Sequence, residues 1–131
     1  MPFSEVVVPE IFRQPGTPSS VATRSESGPL LHIAGQTPRD ESGKTVGIGD
    51  ITAQTHQVMR RLKWIVEAEG GSLSDICRLM IYITHPQHLA KTMEVRKQYF
   101  SEPYPATTAV ITQLANPEWL IEVDGTAALP R

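Results

Sequence analysis

Trp119-Leu120-Ile121-Glu122-Val123-Asp124-Gly125-Thr126-Ala127-Ala128-Leu129 alternates along its length. Successive side chains of a strand point to opposite faces, so Trp119, Ile121, Val123, Ala127 and Leu129 share one side. Leu120, Glu122, Asp124, Thr126 and Ala128 share the other. The pattern predicts a strand with one face in an apolar core and one face that sets two carboxylates among apolar and small residues. Thr107 to Leu114 alternates in the same way and predicts a second closing strand.

Upstream, Thr84-His85-Pro86-Gln87 has capping-box spacing with Pro86 inside the first turn, and predicts a helix running to about Phe100. Its stripe reads Leu89, Met93, Phe100 and, against the trend, Arg96. Ile76 to Thr84 is rich in β-formers and predicts a strand, preceded by a short helical turn at Ser72-Leu73-Ser74-Asp75. Asp50 is placed to cap a long helix from Ile51 to Ala68, closed by Gly70-Gly71. Ile51, Val58, Leu62, Ile65 and Val66 form its apolar face, with Gln54, Arg60, Arg61, Lys63 and Glu67 opposite. Trp64 falls on the polar side, as a partly exposed ring or a contact for a partner. The first part of the chain reads as a strand at Phe3 to Val8 stopped by Pro9 and a loop at Pro15 to Ser20. A short strand at Val21 to Arg24 and a strand at Leu30 to Ala34 follow, then a polar loop from Arg39 to Gly49.

This order gives an α+β domain over residues 1–131, one mixed or antiparallel sheet with two helices on one face. The other sheet face has no cover within the chain, which points to pairing with further subunits. A chain of 131 residues with 40% hydrophobic content can bury a sizeable core unaided. Twelve basic against fourteen acidic residues give a net charge of −2, which argues against a nucleic-acid or anionic-membrane binder. No apolar run reaches bilayer-spanning length, and Met1 to Val8 lacks a basic stretch ahead of its apolar residues. A cytoplasmic protein is expected. The single cysteine, Cys77, excludes an internal disulfide and reads as a small buried hydrophobe rather than a nucleophile. His85 and His88 are three apart but lack a third ligand, so no metal site is expected.

Five segments in register resemble one family. Ile33-Ala34-Gly35-Gln36-Thr37-Pro38 is similar to its SGQxP segment, and Gly49-Asp50-Ile51-Thr52-Ala53-Gln54-Thr55 to the opening of its first helix. Glu94-Val95 with Tyr99-Phe100 resembles the end of its second helix. Pro105-Ala106 and Leu120-Ile121-Glu122-Val123-Asp124 resemble its closing strands. The chain is thus similar, from about Gly28 to Leu129, to the RidA (YjgF) family of reactive enamine/imine deaminases.

That resemblance implies a chorismate-mutase-like protomer, a homotrimer with sites in clefts between subunits, and hydrolysis of enamines or imines without metal or cofactor. It implies a pocket lined by Gly35 with its neighbour Ala34, and Glu122 as the residue that positions or activates water. Three positions depart from the family. The arginine that follows Pro-Ala and forks onto a substrate carboxylate is Thr107 here, and a threonine is no bidentate, permanently charged clamp. The pocket asparagine of the second helix is Met93, and the N-terminal tyrosine aligns with Ser19. Arg96, one turn beyond Met93, and Arg24 on the N-terminal strand are the candidate replacement cations. The expected substrate is therefore a reactive nitrogenous intermediate other than a simple 2-imino acid. A non-catalytic trimer that binds a small ligand or regulates a partner stays open beside it. Ribonuclease, an old label of the family, fits poorly with the acidic balance.

Overall fold

The computed structural model describes residues 2–26 and 28–130. β1 (Phe3–Val6) and β2 (Ala22–Ser25) form an antiparallel ribbon. β3 (Leu30–Gln36), α1 (Ile51–Ala68), a 3-10 turn (Leu73–Asp75), β4 (Ile76–Ile83), a second 3-10 turn (Pro86–His88), α2 (Leu89–Tyr99), β5 (Ala106–Ile111) and β6 (Ile121–Ala128) follow. The main sheet has the order β3-β6-β4-β5, with β4 and β5 parallel and the other pairs antiparallel. The result is a mixed four-stranded sheet with both helices on one face.

α1 begins where Asp50 accepts a hydrogen bond from Ala53 N at 3.1 Å, and ends before Gly70, whose φ of +81° is a conformation only glycine adopts cheaply. Its inner face buries Val58, Met59, Leu62 and Val66 against Ile81, Ile83, Ile121 and Val123 of the sheet. Ser72 and Asp75 form the reciprocal cap of the first 3-10 turn.

Several expectations are corrected. The capping box at Thr84 to Gln87 does not form; Thr84 Oγ1 pairs with His85 Nδ1 at 2.8 Å instead. The expected stripe of α2 holds at Arg96 and Phe100, which are buried, but Leu89 is exposed and Met93 only half-buried, while Thr92 and Val95 point inward. Gln54, assigned to the polar face of α1, is fully buried. β5 stops at Ile111 and β6 starts at Ile121, so Thr112 to Leu120 is a loop. The outer sheet face is partly covered, because the β1–β2 ribbon packs Phe3 onto Cys77 and Ala128. A register shift between Ile76 and Arg78 places Cys77 and Arg78 together on that outer face. Beyond the ribbon, Met80, Tyr82, Glu122 and Asp124 remain on the open part.

Candidate functional site

β6 lies between β3 and β4, and this placement brings Glu122 beside two partners. Tyr82 of β4 is its register neighbour. Gly35 of β3 lies beneath its carboxylate, and a Cβ built on Gly35 would collide with Glu122 Oε2. Only a residue without a side chain leaves room for that approach. The pairing of β3 with β6 shifts register between Ile33 and Gln36, which turns the Ala34-Gly35 backbone out of the regular ladder.

Gly35, Tyr82, Glu122 and Asp124 line one wall of a cleft of about 330 Å³, and the loop from Thr112 to Ala115 lines the other. Tyr82 Oη donates to Asp124 Oδ2 at 2.9 Å. That hydrogen bond raises the Tyr82 hydroxyl above its ordinary 10.0; desolvation and the charges of Asp124 and Glu122 add to the effect and Arg78 opposes it. Tyr82 is therefore a neutral donor at physiological pH, engaged with Asp124. Neither Tyr82 nor the 112–115 loop was singled out from sequence. The alternation of Met80 and Tyr82 against Ile81 and Ile83 was the available signal for Tyr82.

The other expected site residues lie elsewhere within one protomer. Ala34 is exposed next to Gly35. Thr107 is on β5 beside Leu79, and its Oγ1 donates to Pro105 O at 3.0 Å. It borders a separate cleft of about 610 Å³ with Cys77, Arg78, His32 and Thr126. Arg78 is the cation nearest to that stretch of β5, donating to Ala106 O at 3.2 Å and to Thr108 Oγ1 at 3.4 Å. Met93 lines an outward groove on α2 with Leu89 and Lys97. Ser19 is half-buried in the N-terminal loop, where Arg13 Nε donates to its carbonyl at 2.8 Å. Arg24 is exposed on the ribbon. Arg96 is only 4% exposed, on the helix side of the sheet away from Glu122. Its Nε and Nη1 are buried without a hydrogen-bond partner, and burial lowers its pKa to about 10.

Among the described residues, no group of three His, Cys, Asp or Glu side chains is placed to hold a metal ion. No described helix is long and apolar enough to cross a membrane.

Residues 14–129 match the family described as Endoribonuclease L-PSP. Over 123 residues the chain is 37% identical to a RutC family protein of Pyrococcus horikoshii, covering 94% of this chain and 96% of that one. It is 32% identical over 123 residues to the 3-aminoacrylate deaminase RutC of Acinetobacter baylyi, again with 94% and 96% covered. Among solved structures, a protein of unknown function of the conserved Rid family from Yersinia pestis superposes with a TM-score of 0.88. Its identity is 32%, and the match covers 98% of this chain and 100% of that one. RidA from an Antarctic Psychrobacter gives a TM-score of 0.73 at 28% identity, covering 96% and 94%. By sequence along nearly its whole length and by the course of its backbone, the chain belongs to the Endoribonuclease L-PSP family, in which the Rid and RutC proteins are found.

Proposed function

We propose that this chain is an enamine or imine hydrolase in which Glu122 handles the proton of the attacking water. The observation that carries the reading is the seat of the Glu122 carboxylate directly over Gly35 in an open cleft. A substrate lying against the Gly35 backbone has its C=N carbon within reach of a water bound to Glu122. As the water oxygen bonds to that carbon, the C=N electron pair moves to nitrogen and Glu122 takes a proton. Glu122 then returns the proton to nitrogen; as the C–N bond of the carbinolamine breaks, Glu122 carries the hydroxyl proton to the departing nitrogen, and a carbonyl compound and ammonia leave. An enamine enters the same sequence once its carbon is protonated to the iminium. A relative named as a 3-aminoacrylate deaminase supports this class of reaction.

The finer proposal concerns substrate and assembly. Thr107 supplies no fixed cation, so the substrate is not a simple 2-imino acid held by an arginine fork. The enamine named for the relative carries its carboxylate one carbon further from the reacting C–N bond, and is the first compound to test. The unit at work is a homotrimer with the cleft completed across a subunit boundary. There Thr107, Met93, Ser19 and Arg24, none of which lines the Gly35–Glu122 cleft of their own protomer, are able to contribute, whereas Arg96 is sealed inside its own protomer. Two carboxylates on the open face disfavour an RNA backbone and with it the endoribonuclease reading.

The test is loss of imine from an amino-acid oxidase mixture and of 3-aminoacrylate, measured on wild type, Glu122→Gln and Thr107→Arg. Turnover of 3-aminoacrylate by wild type that falls at least about 100-fold in Glu122→Gln supports the reading, whereas equal turnover of the oxidase-derived 2-imino acids overturns its substrate part. Turnover only in Thr107→Arg means a competent scaffold with a different substrate. No turnover in any of the three transfers the weight to a ligand-binding trimer.

A further inference from the structure

A second groove, of about 490 Å³, opens on the helix side of the molecule, separated from Glu122 by the sheet. One wall is the outward face of α1, where Gln57, Arg61, Trp64 and Ile65 recur at helical spacing. The facing wall is Gln36 at the end of β3 and the loop of residues 39–41. We propose that this groove is a binding site for an aromatic monocarboxylate, with Arg61 receiving the carboxylate and Trp64 receiving the ring.

Arg61 is held in place by the protein's own acceptors. Its Nε donates to Gln36 Oε1 at 3.1 Å and its Nη1 to Arg39 O at 2.9 Å. Arg39 O is fixed in turn by Gln57 Nε2 at 3.0 Å, and Gln57 Oε1 by Arg60 Nη2 at 2.9 Å. Neither partner of Arg61 is a carboxylate, and its Nη2 has no protein hydrogen bond among the described residues. Partial burial, with repulsion from Arg39, lowers its pKa. A guanidinium that is preset, partly desolvated and not neutralised gains more from an incoming carboxylate than a mobile surface arginine does.

Trp64 follows three residues later and is 55% exposed. Positions i and i+3 of a helix place their Cβ atoms roughly 5–6 Å apart, so one small ligand can meet the side chains of Arg61 and Trp64 together. The flat, exposed indole with Ile65 beside it then forms the floor for that ring. The rim limits the ligand's charge. Asp40 is kept ionised by hydrogen bonds from Ser42 and Lys44, and Glu41 stands exposed next to it. A phosphate dianion meets both, whereas one carboxylate is neutralised at Arg61.

The experiment is two-dimensional NMR of the full-length protein, following the indole N–H of Trp64 with the backbone amides of β5 as internal reference. The probes are benzoate, benzyl alcohol and inorganic phosphate. The expected result is a saturable Trp64 shift with benzoate below about 10 mM, and at least about tenfold weaker binding of benzyl alcohol and phosphate. Arg61→Met abolishes the shift, while Glu122→Gln leaves it intact. No saturable Trp64 shift with benzoate overturns the proposal. So does phosphate binding as tightly as benzoate, or a benzoate shift that survives Arg61→Met. Because the readout is not turnover, it stands or falls separately from the hydrolase reading.

Discussion

The Glu122 carboxylate occupies the space that a side chain on Gly35 would need. The two residues belong to neighbouring antiparallel strands, and the register shift in β3 is what allows the contact. A methyl group at position 35 must push the carboxylate aside or spread β3 from β6. Gly35→Ala is expected to lower imine turnover about 100-fold, the scale on which displacing a catalytic group by roughly 1 Å acts. The fold itself is expected to lose less than about 1 kcal/mol, because the atoms in the way belong to a flexible side chain on the open face. In the double variant Gly35→Ala/Glu122→Ala the obstruction is gone, so melting temperature recovers while activity does not. A double variant as unstable as Gly35→Ala alone would place the strain in the backbone of β3.

The Tyr82–Asp124 hydrogen bond gives a prediction with a definite pH sign. The Tyr82 pKa is raised in the folded state, so the folded protein favours the neutral phenol. Its contribution to stability is complete below the ordinary tyrosine value of 10.0 and is lost as pH rises through the higher folded value. Absorbance titration of the phenolate band in wild type and Tyr82→Phe identifies the Tyr82 step. Asp124→Asn removes a charge and the acceptor carboxylate, and is expected to shift that step downward. An unchanged step means that the bond does not persist in solution.

Gln54 ties the first helix to the entrance of β6. Its Nε2 donates to Glu118 O at 2.9 Å, and its Oε1 accepts from Leu120 N at 2.8 Å, two residues before Glu122. Gln54→Leu keeps the volume but leaves two backbone groups without partners. The expected loss is about 2–4 kcal/mol in urea unfolding, accompanied by lower turnover because the approach to Glu122 loosens. A loss under about 0.5 kcal/mol would mean that water takes over both bonds.

The hydrophobic periods of α1 and β6 were legible in the sequence because each buries one face against the same core. Asp50 and Gly70 mark the ends of α1 by local chemistry alone, and so were legible too. The phase of α2 was legible only in part. Arg96 and Phe100 lie inward as their spacing suggests, but Leu89 and Met93 look like core residues and yet Thr92 and Val95 take the inner positions. Gln54 was misplaced because a polar residue is buried only when distant backbone groups require it, and Glu118 and Leu120 are more than sixty residues away. Gly35 and Glu122 were marked as candidates by resemblance. Their contact depends on a strand pairing and a register shift that neither segment encodes alone. Tyr82 and Asp124, likewise, meet only when β4 and β6 align.

Arg96 supplies the last prediction. Within the protomer it is a guanidinium buried on the inner face of α2, with Nε and Nη1 lacking acceptors. A buried charge without a partner is a net cost to folding, and replacing it with an apolar chain of similar length removes that cost. Arg96→Met is therefore expected to raise the stability of the protomer by about 1–3 kcal/mol in denaturant unfolding, followed at concentrations low enough to separate subunits. At higher concentration, sedimentation of wild type and variant distinguishes two origins of the residue. If assembly is unchanged and stability rises, Arg96 is an unrelieved charge carried by the helix. If the variant assembles less well, the substitution reaches a subunit boundary through the packing of α2, since Nε and Nη1 are already closed off within one protomer.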